Sequence, residues 1–291
     1  MLVTTEIPLF PLRSVLCPGV ALPLHIFEER YRLMVGRCLE RGEPFGVVLV
    51  REGREVGPLR GRIADVGTTA AIRRAGKYPD GRLDILTVGQ RRFHVEALDT
   101  ASQPYLVGRV RLLDEPVGPE GEARSHAQRV GQRFLEYLEL LQPTDDDGGP
   151  EIEIEIEIEV DDDVDEAAEP AERAAPAAEP IAGVEDTRPV DGADPLLQEM
   201  DAADLSADQR RDLLMAAARR LTATDDPTAL SYVLTALLQV DLAARQDLLE
   251  APDTVERLSR LDGLLARETY FLRQGLRPII IDPGQLTQRS T

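Results

Sequence analysis

Residue types that could carry out chemistry are scarce in this chain, and lysine is the scarcest. Lys77 is the only lysine among 291 residues, and it lies in the segment AGKYPDG between two predicted strands. A Ser–Lys proteolytic dyad needs a lysine base, and P-loop nucleotide hydrolysis needs the motif GxxxxGK[ST]. Lys77 is followed by neither Ser nor Thr and lacks the preceding glycine spacing. The sequence therefore predicts neither activity and places Lys77 in a solvated turn.

Histidines, which often bind metals or act as bases, are also few. His25, His94 and His126 are far apart, and neither CxxC nor HExxH spacing occurs, so the sequence predicts no metal site. His25 alternates with apolar residues in a strand-like run and is interpreted as a structural histidine. The motif GxSxG is absent. A Ser–His–acid triad assembled from distant residues stays open as an alternative, but we expect no catalytic site and no cofactor.

Cysteine usage and the start of the chain favour a cytoplasmic protein. Cys17 and Cys38 are the only cysteines, and Cys38 falls on the apolar side of a predicted helix, which favours buried free thiols over a disulfide or a reactive pair. The opening MLVTTEIPLF has no basic region followed by an apolar one, and no uncharged apolar window reaches membrane-spanning length. We expect neither a signal peptide nor a membrane span.

The net charge of −20 is concentrated in one segment. Residues 145–194 contain 20 Asp and Glu against only Arg173 and Arg188, a local charge of −18, so the rest of the chain is close to neutral. Binding to a phosphate backbone needs a basic stripe, and neither part offers an obvious one. Nucleic acid binding is therefore disfavoured.

The first part of the chain has the pattern of a β-rich subdomain. Apolar and β-branched runs are separated by Gly, Pro and Asp, which are typical of turns. Pro79-Asp80-Gly81 is predicted to be a hairpin turn, because Gly readily adopts positive φ. The predicted strands cover residues 4–9, 20–24, 45–51, 64–73, 82–88, 91–97 and 106–113.

One helix is predicted to interrupt these strands. It starts at Glu28, with Glu28 and Glu29 in a first turn that favours negative charge, and it ends before Gly42. Its apolar residues recur with the spacing i, i+3, i+4, i+7, so one face should pack on the sheet. These residues are Tyr31, Met34, Val35 and Cys38.

Helical patterns resume near Glu122 and again after residue 195. The first runs over residues 122–141 and carries one apolar stripe before Pro143. Ser206 with Gln209 forms a capping box for a second helix with its own stripe. The two stripes are Val130, Phe134, Tyr137, Leu138 and Leu141, and then Leu213, Leu214, Ala217, Ala218 and Leu221.

Two further helices are predicted from their capping residues. Asp226 followed by Pro227 is the preferred order for an N-cap and first helical residue, and Asp253 with Glu256 caps a long last helix that ends at Gly275. The helices are expected to pack as a small antiparallel bundle. Their stripes are Leu230, Val233, Leu234, Leu237 and Leu238, and then Leu258, Leu261, Leu265 and Leu272.

Between these helices, residues 143–195 form an acidic, low-complexity insertion. Pro, Ala, Gly, Asp and Glu dominate, so the segment cannot bury enough apolar surface to offset the entropy of ordering. Within it, residues 151–160 read EIEIEIEIEV, the alternation of a strand with one apolar face. They could add to a sheet edge of a partner or of this protein. A solvated acidic tract is the favoured interpretation, because a lone strand is unstable.

Several short motifs follow one another along the chain. The most informative is residues 8–31, PLFPLRSVLCPGVALPLHIFEERY. The others are FGVVL at residues 45–49, VGTTAAI at 66–72, GQRRF at 89–93, and QDLLE at 246–250 followed by RL at 257–258. Each short string is weak, but the ordered set is fairly specific and resembles the Lon protease N-terminal or LON substrate-binding domain, with residues 8–31 similar to its start.

The resemblance implies an α+β fold in which a twisted β-sheet pseudo-barrel with one helix is followed by a C-terminal α-helical bundle. Together with the changes in composition along the chain, the resemblance predicts five segments. They are a β-rich subdomain (1–118), a first helix (119–142), a disordered acidic linker (143–195), a helical bundle (196–276) and a C-terminal tail (277–291). The acidic insertion departs from the family pattern. Because 291 residues leave no room for the ATPase and protease domains of Lon, a standalone domain is expected.

The resemblance implies a non-enzymatic polypeptide-binding module that recognises unfolded or specific client proteins, with a separate protease or chaperone as a candidate partner. We predict that four residues frame a groove for an extended polypeptide, because they are polar or aromatic and lie beside proline-rich strands. They are Arg13, Glu29, Arg30 and Tyr31. The competing interpretation is an ordinary Glu–Arg ion pair and a core-facing Tyr31. The alternative function is an adaptor or regulatory scaffold for one defined protein, with the acidic tract contacting a basic surface.

Overall fold

Strands make up most of the first of the two units into which the chain divides. The computed structural model describes residues 4–51, 62–141, 179–180 and 207–276. The first unit is Met1–Asp114 with Glu155–Asp191, and the second is Glu115–Ile154 with Gly192–Thr291. The prediction of an α+β chain, with strands first and helices after, is confirmed. The strands are β1 (Thr4–Leu12), β2 (Ala21–Ile26), β3 (Phe45–Leu49), β4 (Val66–Lys77), β5 (Leu83–Asp99), β6 (Leu106–Leu112) and β7 (Glu179–Pro180).

The strands pair in the order β2-β5-β6-β1-β3-β4-β7, and β4 also pairs with β5. Because β4 pairs again with β5, the strand pairings form a ring of five strands, β5, β6, β1, β3 and β4. Strands β2 and β7 pair with members of this ring from outside it. β1 and β3 pair in parallel, whereas the other pairs are antiparallel.

Helix α1 (Glu29–Arg41) packs on the apolar side of the sheet as predicted. Its buried residues are the four that share the helical spacing, and Gly42 ends it with a φ of 64°. The helix contributes to one apolar cluster with Phe10 and Phe45, and a second cluster surrounds Leu9 and Phe93. The buried residues of α1 are Tyr31, Met34, Val35 and Cys38.

The predicted division of residues 82–97 into two strands is wrong. A single strand, β5, runs through Gly89, pairing with β2 in its first half and with β6 in its second. A Cβ atom at Gly89 would lie 2.2 Å from the carbonyl oxygen of Cys17. Gly89 therefore marks a close approach between two backbones and not the end of a strand.

Five helices occur in the described part of the second unit, and they surround a single apolar cluster. The predicted N-caps are confirmed, since Asp226 accepts from the N–H groups of Thr228 and Ala229, and Asp253 accepts from that of Glu256 at 2.8 Å. Ser206, the predicted cap of the second helix, lies outside the described residues. The helices are α2 (Glu120–Leu141), α3 (Ala207–Thr222), α4 (Pro227–Leu237), α5 (Leu242–Leu249) and α6 (Thr254–Arg273).

Helix α5 was not predicted as a separate helix. It has only eight residues, and its apolar residues do not recur at i, i+3 and i+4, so its sequence has no clear helical stripe. Its start is nonetheless a regular cap, because the Asp241 carboxylate accepts a hydrogen bond from the Ala244 N–H at 2.7 Å.

The predicted apolar stripe of α3 is right in part. Ala218 is buried and Leu221 packs against the apolar cluster, as predicted. The prediction is wrong for Leu213 and Leu214, which are 47% and 39% exposed, and for exposed Ala217, whereas Met215 is buried. The cause is close packing against α2, where a Cβ atom at Gly131 would lie 3.2 Å from Cβ of Thr222. Small residues on the facing surfaces allow this approach, so the face with Ala218 turns inward.

The acidic insertion lies largely outside the described residues. The alternating segment EIEIEIEIEV and the predicted tail, residues 277–291, both fall there. Of residues 143–195, the structure describes Glu179 and Pro180, which form β7 and pair antiparallel with Gly76 and Lys77 at the end of β4.

Candidate polypeptide-binding surface

The four predicted binding residues occupy different environments. Arg13 follows β1 and is half-buried, and Glu29 is exposed at the start of α1. The structure brings Arg30 and Tyr31 together, with the Arg30 guanidinium 4.6 Å from the centre of the Tyr31 ring. Arg30 also forms an ion pair with Glu28, at 2.7 Å between Nη2 and Oε2.

Tyr31 faces the core. It is 8% exposed, and its ring centre lies 4.2 Å from that of Phe10. Burial is the main reason that the pKa of Tyr31 is raised above its usual range. Tyr31 therefore offers Arg30 a ring to stack on and presents little surface to a ligand.

Strand β2 presents an alternating surface beside α1. Leu22, Leu24 and Ile26 are buried, whereas Pro23 and His25 are exposed, as expected for a strand with one face on the core. Phe27 follows the strand and is 39% exposed, an unusual position for a phenylalanine.

One long edge of β2 is open within the part of the chain that the structure describes, where β2 pairs only with β5. The Gly89 N–H donates to the carbonyl of Val20, and the Thr87 hydroxyl donates to that of Leu22, so these carbonyls face β5. By alternation, the main-chain groups of Pro23 and its neighbours two residues away face outward. Proline lacks an N–H, so at its centre this edge offers a carbonyl acceptor and no donor.

A polar cluster beside β2 joins His25, Asp84 and Tyr78. Nδ1 of His25 lies 2.6 Å from Oδ1 of Asp84, and the Tyr78 hydroxyl donates to Oδ2 at 2.5 Å. Burial opposes ionisation of Asp84, but the hydrogen bonds from Tyr78 and His25 outweigh it and lower the pKa of the carboxyl. The hydrogen bond to Asp84 is also the main reason that the pKa of Tyr78 is raised.

Strand register explains why these residues meet. His25 lies directly opposite Asp84 in the β2–β5 pair, and Asp84 lies opposite Gly76 in the β4–β5 pair. Tyr78 immediately follows β4 at the start of the hairpin turn, whose Gly81 has the predicted positive φ of 89°. Two distant stretches of sequence, β2 and the hairpin from Tyr78 to Asp84, therefore converge on one carboxylate.

The hairpin turn extends the same surface. The Arg82 guanidinium lies 5.3 Å from the centre of the Tyr78 ring and forms an ion pair with Asp80 at 2.7 Å. The backbone N–H of Arg82 is the main cause that lowers the pKa of Asp80. On the other side of His25, its ring centre lies 6.3 Å from that of Phe27. We name Pro23, His25, Phe27, Tyr78 and Arg82 the β2 edge surface.

The β2 edge surface combines aromatic rings with an imidazole and a guanidinium group. Among the described hydrogen bonds, none joins His25 to a serine hydroxyl or a cysteine thiol that could act as a nucleophile. Both cysteines are buried as predicted, and burial is the main cause that raises the pKa of Cys38 to about 11. The described residues also contain no group of three or more His, Cys, Asp or Glu arranged to hold a metal ion.

Sequence reasoning selected a neighbouring segment, whose role in binding stays a prediction. It selected the first turn of α1, where Arg30 and Tyr31 stack on each other, and it interpreted His25 as purely structural. The sequence feature that could have indicated this surface is the alternation in ALPLHIF. The last of its outward-facing residues is an exposed aromatic residue, Phe27. The partners Tyr78 and Asp84 require the strand register, which the local sequence does not reveal.

Strands followed by helices define an α+β chain, and β2 leaves one edge open among the described residues. Residues 6–267 match the family model of the ATP-dependent protease La (LON) substrate-binding domain. The chain therefore belongs to the LON substrate-binding domain family, as the ordered motifs predicted.

Curated relatives are Lon proteases, of which this chain matches a small part. The Lon protease of Porphyromonas gingivalis is 34% identical over 140 residues, covering 47% of this chain and 16% of that protein. The Lon protease of Parabacteroides distasonis is 33% identical over 110 residues, covering 38% of this chain and 13% of that protein. The Lon protease of Escherichia coli K12 is 26% identical over 136 residues, covering 46% and 17%.

Two solved structures are similar along most of the chain. The Lon N-terminal domain protein from Xanthomonas campestris has a TM-score of 0.46 and 22% identity, covering 90% of this chain and 98% of that one. The N-terminal domain of the Mycobacterium avium complex Lon protease has a TM-score of 0.47 and 16% identity, with the same coverage. Separately, none of the helices in the described ranges is both long and apolar enough to cross a membrane.

Proposed function

We propose that this chain is a non-enzymatic module that binds extended segments of unfolded or specific client polypeptides. The observation that carries the proposal is the β2 edge surface, where an open strand edge lies beside exposed Phe27 and half-exposed Tyr78. Membership of a substrate-binding domain family supports recognition as the role of this fold. A cytoplasmic location and cooperation with a separate protease or chaperone belong to the same proposal.

The proposed binding mode combines backbone and side-chain contacts. An extended segment lying along β2 would donate hydrogen bonds to its outward carbonyls, as in strand addition. Pro23 interrupts this edge, so the hydrogen-bonded ladder is short and the contact stays reversible. Apolar side chains of the client would pack on Phe27 and Tyr78, while Arg82 would attract acidic groups beside them.

Two finer features of the fold belong to this proposal. We interpret the closed ring of β5, β6, β1, β3 and β4 as the pseudo-barrel that the family resemblance implies, and the helices of the second unit as its helical bundle. Residues 143–195 would then be an acidic linker inserted within that bundle. Its predicted boundaries remain as given from composition.

The direct test compares two phenylalanines of equal exposure. Phe27 and Phe271 are each 39% exposed, but Phe271 lies at the end of α6 in the other unit. Binding of a reduced, carboxymethylated and therefore permanently unfolded protein is measured by fluorescence anisotropy with the full chain. We expect Phe27→Ala to weaken binding about tenfold, because about 1–2 kcal/mol of aromatic contact is lost, and Phe271→Ala to leave binding unchanged.

Equal effects of the two substitutions would refute the β2 edge surface as the binding site. Absence of binding by the unsubstituted chain to several unfolded substrates would refute the function itself. The same preparation is expected to show no ATP hydrolysis and no proteolysis, so activity that disappears on substitution of a specific Ser, His or Asp would contradict the non-enzymatic assignment.

The adaptor function remains the second candidate because of the −18 charge of residues 145–194. In that case the tract would contact a basic partner, and deletion of residues 145–194 would abolish partner capture in a salt-sensitive way. If client binding survives the deletion unchanged, the tract serves only as a linker for the binding module.

A further inference from the structure

A groove lies between α2 and α3 in the second unit. Its volume is about 420 Å³, which is within the range of clefts that bind ligands in proteins. Met215 lies in it and is 8% exposed, whereas the other lining residues are exposed. The described residues that line this α2–α3 groove are Glu139 on α2 and Arg211, Met215, Ala216 and Arg219 on α3.

Three of the lining residues form one stripe along α3. Arg211, Met215 and Arg219 are spaced four residues apart, so they share a face of the helix. The rise per residue places the two arginines about 12 Å apart along the helix axis, with Met215 midway between them. The stripe therefore offers a positive group at each end and an apolar group in the centre.

The charges in the groove are unpaired within the part of the chain that the structure describes. No ion pair or side-chain hydrogen bond joins Arg211, Arg219 or Glu139 to another described residue. By contrast, Arg129 and Arg133 on α2 both pair with a carboxylate of α6. A guanidinium group is suited to pairing with a carboxylate through parallel hydrogen bonds, so the two groove arginines are available to an acidic ligand.

Glu139 lies on the opposite wall of the groove, in the last turn of α2. That turn contains no basic residue, and a carboxylate near a helix C-terminus is disfavoured by the helix dipole. Glu139 and the end of α2 together repel a negatively charged group. An acidic ligand in the groove is therefore directed to the α3 side, where the arginines lie.

The walls of the groove favour a helical ligand over an extended one. Away from the ends of α2 and α3, the main-chain N–H and C=O groups are hydrogen-bonded within each helix. An extended segment would find no main-chain partners there, whereas a helix satisfies its own backbone groups and buries side chains in the groove. A helix alongside α3 has the same rise per residue, so three of its residues spaced four apart would meet Arg211, Met215 and Arg219.

We propose that the α2–α3 groove docks an amphipathic helix of a partner protein, in which an apolar residue lies between two acidic residues at this spacing. The acidic residues pair with Arg211 and Arg219, and the apolar residue packs on Met215. This partner differs from a client at β2, because it docks on the other unit and does so as a folded helix.

The test uses a fluorescein-labelled peptide of about 20 residues, which is long enough to form a helix in water. The peptide is built from alanine and glutamine and carries one leucine, with a glutamate four residues before it and another four residues after it. Fluorescence anisotropy with the full chain should show saturable binding with a Kd below about 1 mM. Because the chain has a net charge of −20, general attraction does not account for binding of an acidic peptide. Absence of saturable binding would overturn the proposal.

Three altered peptides test the three features of the ligand. The first has glutamine in place of both glutamates, the second has glutamine in place of the leucine, and the third has a central alanine replaced by proline, which breaks the helix. Each should bind about fivefold more weakly than the first peptide, or weaker still. Equal binding by any of them would mean that the corresponding feature is not recognised, and the proposal would be wrong.

Substitutions in the protein locate the site. The double variant Arg211→Glu, Arg219→Glu should weaken peptide binding about tenfold, whereas Glu139→Gln should strengthen it about twofold, because a repulsive charge is removed. Arg124→Glu is the matched control, since Arg124 is exposed on α2 outside the groove, and should change nothing. A loss in the double variant no larger than in Arg124→Glu would place the peptide elsewhere and overturn the proposal.

The substituted side chains are exposed, so the variants should fold, and circular dichroism checks this. Repeating the titration with residues 145–194 deleted, at physiological ionic strength where distant charges are screened, should leave binding within about threefold. Binding that appears only after the deletion would make this chain's own acidic stretch the occupant and overturn the assignment to a partner. Client binding at β2 is measured separately with the unfolded protein, so failure of one proposal leaves the other testable.

Discussion

Each unit contains a cluster in which a carboxylate accepts a tyrosine hydroxyl and faces a basic side chain, but the two clusters differ in burial. In the first unit, His25 and Asp84 are 44% and 46% exposed. In the second unit, Arg257 is completely buried, and Glu115 is 29% exposed. The Tyr78 and Tyr232 hydroxyls each lie 2.5 Å from their carboxylates.

The buried cluster ties several segments of the second unit together. The Arg257 guanidinium lies 3.9 Å from the centre of the Tyr232 ring and donates to the Ser231 hydroxyl and the Leu248 carbonyl at 3.1 Å each. Its Nη2 lies 3.7 Å from Oε2 of Glu115, an ion-pair distance. These contacts offset part of the cost of burying the charge.

The difference separates a structural role from the recognition role that we propose. Removing one partner from the buried cluster leaves the other as a charge or donor that neither the protein nor water compensates. This lowers the free energy of unfolding by about 3–5 kcal/mol. Loss of a partner in the exposed cluster is compensated by solvent, and such pairs contribute about 0–1 kcal/mol. The exposed cluster therefore adds little to stability, while it holds the His25 ring near the rings of Phe27 and Tyr78.

The largest expected effect tests the buried cluster. Arg257→Leu should lower the free energy of unfolding by about 3 kcal/mol, because Glu115 and the Tyr232 ring lose their cation. Urea unfolding followed by circular dichroism at helical wavelengths measures this. Arg124→Leu is the control, since Arg124 pairs with Glu120 at the surface, and should cost less than about 0.5 kcal/mol. Similar losses for the two variants would contradict a structural role for the buried cluster.

The two tyrosines provide a matched pair of smaller substitutions. Tyr232→Phe removes a hydrogen bond to a carboxylate in a largely buried site and should cost about 1.5 kcal/mol. Tyr78→Phe removes the equivalent bond at the surface, where water replaces it, and should cost less than about 0.5 kcal/mol. Urea unfolding of both variants compares them directly, and a larger loss for Tyr78→Phe would reverse the assignment of roles.

The smallest expected effect is the pH dependence of the exposed cluster. Because the pKa of Asp84 is lowered in the folded chain, its contribution to stability is present above its unfolded pKa of about 3.9. The contribution is lost as the pH falls through the folded value. Solvent screening keeps it below about 1 kcal/mol. Asp84→Asn should therefore slightly reduce the fall in the free energy of unfolding at acid pH. A reduction confined to neutral pH would contradict the assignment of this effect to Asp84.

Local sequence patterns predicted the elements whose partners lie nearby. The i, i+3, i+4, i+7 spacing identified all four buried residues of α1, and Asp226-Pro227 and Asp253 marked the helix starts. The failures depend on contacts between distant residues. Gly89 looked like a strand end because its approach to Cys17 cannot be read locally, and the close approach of α3 to α2, at Thr222 and Gly131, cannot be read locally either.

The same limit applies to the candidate site. The sequence drew attention to the proline-rich strand and the start of α1, but Arg30 stacks on Tyr31, and Tyr31 packs on the core. Cross-strand register brings His25 to Asp84, which is 59 residues away. The predicted roles of Arg13, Glu29, Arg30 and Tyr31 in binding stay predictions, and the β2 edge surface is the alternative to test beside them.

Hydrogen–deuterium exchange, recorded with and without a saturating unfolded client, tests the central claim most directly. The claim is that the exposed cluster supports recognition while the buried one supports the fold. We predict that the client slows exchange in β2 and in the turn after β4, residues 78–82, and leaves α4 and α6 around Arg257 unchanged. Protection confined to the second unit, for example at exposed Leu213 or Tyr270, would contradict the account.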